Sequence, residues 1–250
     1  MKNCVAQTKP IKGDIQSNIA NHQKLIYLAV FNAADIVIFP ELSLTGYEPE
    51  LSKELATNQD DSRFDDFQMI ADTKQITIGV GVPTKNNIGI CISMIIFQLH
   101  QARQTYSKKY LHSDEEHFFI TGNSSSGLIT NKTHIVAVAI CYELSVPEHS
   151  EKAFKSGAKF YIASVAKLVN QVDKALEMLS EIATKYSMTV LMSNCVGESE
   201  GMEWGGRTSL WDNKGLLVGQ LDDRNEGIII IDTETQEIIK KNIKSKTTVA

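Results

Sequence analysis

The sequence predicts an α/β fold of stacked layers around a large, partly mixed sheet. Strand-like and helix-like stretches alternate over the first three quarters of the chain, and strands dominate afterwards. Short, continuous apolar runs such as Ile36–Phe39 and His134–Ile140 suit strands buried on both faces. No linker, repeat or low-complexity tract divides the 250 residues, so one domain over 1–250 is expected.

Val5 and Ala6 lie in an opening strand that ends at Lys9-Pro10. Asp14 then caps a helix carrying Ile19, Ile26, Val30 and Ala33 at helical spacing. The apolar run to Phe39 follows. A second helix runs from Phe64 to Lys74, and strands at 76–82 and 88–99 flank a turn at Asn86-Asn87. A short strand ends near Lys108, and the run to Ile140 is the strongest buried strand. A helix follows Pro147, since proline favours the first helical turn. Another strand covers Phe160–Ser164. Val172, Leu176, Leu179, Ala183 and Tyr186 mark an amphipathic helix. Strands recur at 190–195, 209–211, 216–221 and 227–231. Residues 236–250, basic and polar toward their end, are expected to be a tail or a strap that docks on another subunit.

Composition narrows the function. Hydrophobic residues make up 42% and charged residues 22%, which argues against disorder. Twenty-five Lys and Arg against 30 Asp and Glu leave a net charge of −5, without the basic surplus a duplex nucleic-acid binder carries. No apolar run reaches the roughly 20 residues needed to span a bilayer, and no apolar signal segment opens the chain. A cytoplasmic protein without nucleic-acid or membrane partners is expected. Cys4, Cys91, Cys141 and Cys195 are scattered, with neither disulfide nor zinc spacing, and read as free thiols.

Three reactive residues sit at or near predicted strand ends, where open α/β sheets place ligand sites. Glu41 follows an apolar strand, and partial desolvation raises a carboxyl pKa toward acid–base use. Lys108 is placed to stabilise an oxyanion. Cys141 lies between a buried strand and a helix start, an environment expected to lower its pKa and favour a nucleophilic thiolate. Taken singly, these are an exposed carboxylate, a solvated lysine and a structural cysteine. His112, Glu116 and His117 lack the spacing of a zinc helix and read as polar loop residues.

Together the three residues resemble the carbon–nitrogen hydrolases of the nitrilase superfamily. Glu41 stands in F-P-E-x-x-x-x-G-Y, Lys108 in Y-x-K-x-x-L and Cys141 in C-Y-E-x-x-x-P-E. Glu115 opens E-x-x-F-F-x-x-G, ending at Gly122. Gly157-Ala158, Asn194 with Gly197, and Gly206, Ser209 and Asp212 to Gly215 extend the likeness over about residues 1–235. Lys108 rather than Lys109 holds the family spacing, and adjacent strand residues face opposite ways.

The resemblance implies a four-layer α-β-β-α sandwich and amide hydrolysis through a thioester. Cys141 is the implied nucleophile, Glu41 the acid–base, Lys108 the oxyanion partner with the Tyr142 N–H, and Glu115 a second carboxylate that positions Lys108 or the amine. No metal or organic cofactor is implied. Small linear amides are expected, with nitrile or N-carbamoyl hydrolysis, acyl transfer and a non-catalytic role as alternatives. Tyr47, Tyr142, Ala166 and Lys167 are expected around the substrate. Ser145, Val146 and the stretch Ser164-Val165-Ala166-Lys167 depart from the family pattern. Lys167 reads either as solvated or as attracting an acidic substrate tail. Members of the family usually pair through helices near the nucleophile, so a homodimer or larger homo-oligomer is expected.

Overall fold

The computed structural model describes residues 1–122, 127–131, 134–199 and 201–243. Strand β1 (Lys2–Gln7) leads to helix α1 (Ile15–Phe31), which starts where the Asp14 carboxylate accepts the Ser17 N–H at 3.0 Å. Next come β2 (Ile36–Ile38), the single turn α2 (Ser52–Leu55) and α3 (Asp65–Lys74). Strands β3 (Thr77–Lys85) and β4 (Ile90–Phe97) pair across a turn in which the Asn86 side chain accepts the N–H groups of Ile88 and Gly89. Strand β5 (Gln104–Ser107), β6 (Leu128–Asn131) and β7 (His134–Ile140) follow, and a 3₁₀ turn over Cys141–Ser145 precedes α4 (Pro147–Lys155). The remaining elements are β8 (Phe160–Ser164), α5 (Val169–Tyr186), β9 (Thr189–Ser193), β10 (Val196–Ser199), β11 (Met202–Gly205), β12 (Ser209–Trp211), β13 (Leu217–Gln220), β14 (Gly227–Asp232) and β15 (Ile238–Asn242).

These strands form a seven-stranded sheet, β15-β14-β1-β2-β3-β4-β5, a six-stranded sheet, β13-β12-β9-β8-β7-β6, and the hairpin β10-β11. Each large sheet has three central parallel strands with antiparallel neighbours on both sides. Alternation of side chains explains the stacking. Val5, Ile36, Ile38, Ile229 and Ile231 face the second sheet. Cys4, Ala6, Val37, Ile228 and Ile230 turn the other way, onto Leu25, Ile26 and Ala29 of α1 and Phe67 and Ile70 of α3. Helix α5 buries Val172, Ala175, Leu179 and Ala183 on the outer side of the second sheet. The result is the α-β-β-α sandwich. Each fully buried Ile or Leu contributes about 1.5–3 kcal/mol of transfer free energy.

Two hydroxyls bind the sheets to each other at their site end. Ser164 Oγ donates to the Phe39 carbonyl at 2.8 Å, and Ser193 Oγ to the Ala6 carbonyl at 2.6 Å. Of the stretch expected as a tail, Ile238–Asn242 is strand β15, paired with β14 of the same chain. Residues 244–250 lie outside the described residues. Among the described residues, no helix is long and apolar enough to cross a membrane.

Candidate active site

The C-terminal ends of β2, β5, β7 and β8 come to one end of the sandwich and deliver Glu41, Lys108, Cys141 and Lys167. The loop carrying Glu41 is pinned from behind by α1. His22 stacks on Phe39 with centroids 4.1 Å apart, and its Nε2 lies 2.9 Å from Ser43 Oγ, while Asn18 Nδ2 donates to the Leu44 carbonyl at 3.0 Å. Gly81 lets this loop settle on β3: a Cβ there would lie 2.3 Å from the Pro40 carbonyl oxygen. Gly122 does the same for the lysine loop. A Cβ on it would lie 2.4 Å from the Ser107 carbonyl oxygen, and its N–H donates to the Lys108 carbonyl at 2.7 Å.

Lys108 is fully buried and bonded to two carboxylates. Its Nζ donates to Glu41 Oε1 at 2.8 Å and to Glu115 Oε1 and Oε2 at 2.7 and 2.9 Å. Glu115 also accepts the Tyr47 hydroxyl at 3.1 Å and the His112 N–H at 2.8 Å. Glu41 Oε2 has no hydrogen-bond partner among the described residues, although it is buried. Burial raises the Glu41 pKa, against the lowering effect of Lys108, and Glu115 adds to the rise. Burial also works against the charge on Lys108, but Glu41, Cys141 and Glu115 outweigh it and raise its pKa.

Cys141 begins the 3₁₀ turn with φ of 45°, a left-handed conformation that a non-glycine residue holds only when its surroundings fix it. Glu143 provides that support, since its Oε2 accepts the Ile140 N–H at 2.8 Å. The expected lowering of the thiol pKa is overturned. Burial first, and then Glu41, push the Cys141 thiol up to about 11. Lys167, Lys108 and the Ala166 backbone N–H pull the other way without prevailing. Removal from water outweighs the favourable neighbours, so the resting sulfur holds its proton.

Cys141 opens into a cavity of about 180 Å³. Glu115, Tyr47, Tyr142, Ala166 and Lys167 all line it, so the expected substrate-side residues come together around the thiol. Lys167 is half-buried, and its pKa is raised first by the Cys141 sulfur, against burial, with Glu41 adding to the rise. Lys109 stands outside this cavity, its N–H donating to Glu143 Oε1 at 2.7 Å, and Glu116 and His117 are exposed. Sequence reasoning missed Met202 and Trp204, which the β10-β11 hairpin lowers onto the cavity, and Gln171 at the start of α5. Trp204 meets Tyr47 edge-on at 6.1 Å. It missed Gly81 as well, and nothing near these residues in sequence connects them to Cys141.

The family model for carbon–nitrogen hydrolases matches residues 4–241. The chain is 26% identical over 207 residues to the 2-oxoglutaramate amidase of Bacillus subtilis (strain 168), covering 82% of this chain and 80% of the relative. It is 24% identical to the "hydrolase in agr operon" of Staphylococcus aureus, covering 95% of this chain and 93% of the relative. A cysteine-to-alanine variant of the amidase from Nesterenkonia sp. AN1, solved in complex with butyramide, shares its fold with a TM-score of 0.85 at 19% identity, over 94% of this chain and 92% of that one.

Proposed function

The chain belongs to the carbon–nitrogen hydrolase family, and on that premise we propose that it is an amidase that cleaves small linear amides through a thioester on Cys141. The observation that carries the reading is the buried Glu41–Lys108 pair, 2.8 Å apart, against a thiol that opens into a cavity. Cys195 is just as buried but lines no such space.

In this mechanism Glu41 takes the thiol proton as Sγ attacks the amide carbon. Burial strengthens Glu41 as a base for that proton by raising its pKa, while the raised thiol pKa works against the transfer. The carbonyl oxygen gathers negative charge and is held by Lys108 Nζ and the Tyr142 N–H. One of the two bonds from Lys108 to Glu115 is available for exchange. Removing an oxyanion donor costs about 10²–10³ in rate. Glu41 next gives its proton to the departing nitrogen, the C–N bond breaks, and ammonia or an amine leaves the acyl group on sulfur. A water, deprotonated by Glu41, attacks the thioester. The acid departs and the thiol recovers its proton. Glu115 keeps Lys108 aimed, and Tyr47 keeps Glu115 in place.

The test is an ammonia-release screen over short amides, nitriles and N-carbamoyl compounds, with intact mass measured during turnover. The expected result is ammonia from linear amides, an acyl adduct on the wild-type chain, and neither from Cys141→Ala. Full turnover by Cys141→Ala, or no turnover of any amide by the wild type, overturns the reading.

A further inference from the structure

Lys167 ends the stretch Ser164-Val165-Ala166-Lys167 that departs from the family pattern, and the fold brings it to the nucleophile. Strands β7 and β8 run in parallel with Ile140 opposite Ser164, so Cys141 and this stretch leave the sheet side by side. The Lys167 N–H donates to Asn194 Oδ1 at 2.8 Å, Asn194 Nδ2 donates back to the Lys167 carbonyl at 3.2 Å, and the Gly205 N–H donates to that carbonyl at 2.8 Å. From this fixed backbone the half-buried side chain enters the cavity into which Cys141 opens, and its ammonium faces the sulfur.

Among the described residues, the carboxylates around the cavity are not paired with that ammonium. Lys108 holds Glu41 Oε1 and both oxygens of Glu115, and at the rim Asp114 Oδ1 lies 2.5 Å from His112 Nδ1. Glu41 Oε2 has no partner among them. Lys108 is in the reverse position. It stands on the other sheet, one positive charge between two carboxylates. Of the two lysines that favour a charged sulfur, Lys167 does so more strongly. The mechanism needs such help, because burial and Glu41 both resist ionisation of the thiol whose proton has to leave. A charge drawn away from water is costly unless an opposite charge answers it.

We propose that Lys167 is a second catalytic cation, assigned to the sulfur as Lys108 is to the carbonyl oxygen, and that it stabilises the thiolate each time one forms. The inference rests on the amidase reading above and adds a residue to it. As Glu41 takes the thiol proton, the S–H electron pair stays on sulfur and forms the bond to the amide carbon. Negative charge thus passes from the carboxylate to an atom that Lys167 faces. In the second half, the water oxygen bonds to the acyl carbon while Glu41 takes its proton. The C–S bond breaks, and its electron pair returns to sulfur as a thiolate. Lys167 holds that thiolate until Glu41 hands the proton back, and keeps its own proton throughout.

Iodoacetamide is neutral and reacts with the thiolate, so its rate of alkylating Cys141 at about pH 8 reports how readily the sulfur ionises, without turnover. Cys141→Ala subtracts the other thiols. Lys167→Met is expected to slow this alkylation about three- to thirtyfold, since fewer thiolates form and the greater nucleophilicity of each returns about half of the loss on a logarithmic scale. Lys167→Gln keeps a polar end without the charge. It is expected to match Lys167→Met, and it carries the comparison if the methionine variant loses its circular dichroism spectrum. Lys167→Arg is expected to stay within about threefold of the wild type. Butyramide, a neutral amide, offers Lys167 no charge to bind. On it the two uncharged variants are expected to lose about ten- to a hundredfold in kcat, as losing a charge-assisted contact does, with KM little changed.

Alkylation at the wild-type rate in the uncharged variants overturns the proposal, whatever happens to turnover. So does a rise in KM alone, which makes Lys167 a substrate-binding residue. Full activity in Lys167→Gln beside a loss in Lys167→Met also overturns it, because the charge is then not what matters. The two readings fail separately. Slowed alkylation in a chain whose wild type turns over no amide removes the amidase and keeps the cation on the sulfur. Butyramide turnover with alkylation unmoved keeps the amidase and removes the role of Lys167.

Discussion

Two buried carboxylates flank the Cys141 turn, and they are equipped for opposite tasks. Glu143, behind the turn, is fully satisfied. Oε1 accepts the Lys109 N–H, and Oε2 accepts the Ile140 N–H and the Tyr106 hydroxyl at 2.7 Å. Around it, His149 lies 3.0 Å from the Tyr106 oxygen and 2.9 Å from the Tyr161 oxygen, and burial pulls the His149 pKa down to about 4, so the network is closed and its histidine neutral. Glu41, in front, has one oxygen on Lys108 and the other without a hydrogen-bond partner among the described residues. Burial raises the pKa of both carboxylates. The difference lies in unmet hydrogen-bonding capacity. A carboxylate with both oxygens engaged ties the nucleophile strand to the lysine loop, and one left incomplete is ready to accept a proton.

If this contrast holds, substitutions on the two sides separate chemistry from stability. Glu41→Gln is expected to lower turnover by about 10²–10⁴-fold, the usual worth of a positioned acid–base group, with an unchanged circular dichroism spectrum. The same variant is expected to ionise its thiol at a lower pH than the wild type does, because one of the groups that raise the thiol pKa is gone. Thiolate absorbance against pH measures this. A thiol that ionises more easily in an enzyme that has lost its activity separates acid–base work from nucleophile acidity.

The pH profile of the wild type carries a related effect. Glu41 acts as the base only when ionised, and its pKa is raised. Turnover therefore falls as pH drops through a point above the ordinary carboxylate range. An acid limb at or below that range contradicts the assignment.

Glu143→Gln should act on stability instead. Its amide nitrogen faces a backbone N–H wherever it turns, which costs about 1–3 kcal/mol. Urea unfolding measures the loss, and turnover should decline only in step with reduced folding or a displaced turn. Loss of all activity at undiminished stability erases the contrast. Tyr106→Phe should be mildest, at about 0.5–1.5 kcal/mol for one hydrogen bond, with activity largely kept.

Much of the molecule could be read before its structure. The apolar runs before Glu41 and Cys141 carry their own strand signal, so the ends on which those residues stand were visible locally. Lys108 was separable from Lys109 because strand neighbours face apart, and the fold turns Lys109 toward Glu143. What escaped depends on distance in space. Trp204 and Met202 reach the cavity only through a hairpin that follows β9. The thiol pKa was expected to fall because its positive neighbours are apparent in the local pattern, whereas the burial that outweighs them belongs to the packed sandwich. Lys167 was ambiguous for the same reason. Its surroundings are assembled from Asn194, Gly205 and Cys141, none of them within twenty residues of it in sequence except through the fold.

The hydroxyl bonds from Ser164 and Ser193 reach across to main-chain oxygens of the opposite sheet. Glu41 and Lys108 belong to one layer, and the sulfur and Lys167 belong to the other. Any sliding of one slab over its mate thus shears the reaction centre through its middle while leaving the pairings within each sheet intact. On gentle heating, catalysis should fade before secondary structure does, making the enzyme's rate a vernier for the alignment of its two halves.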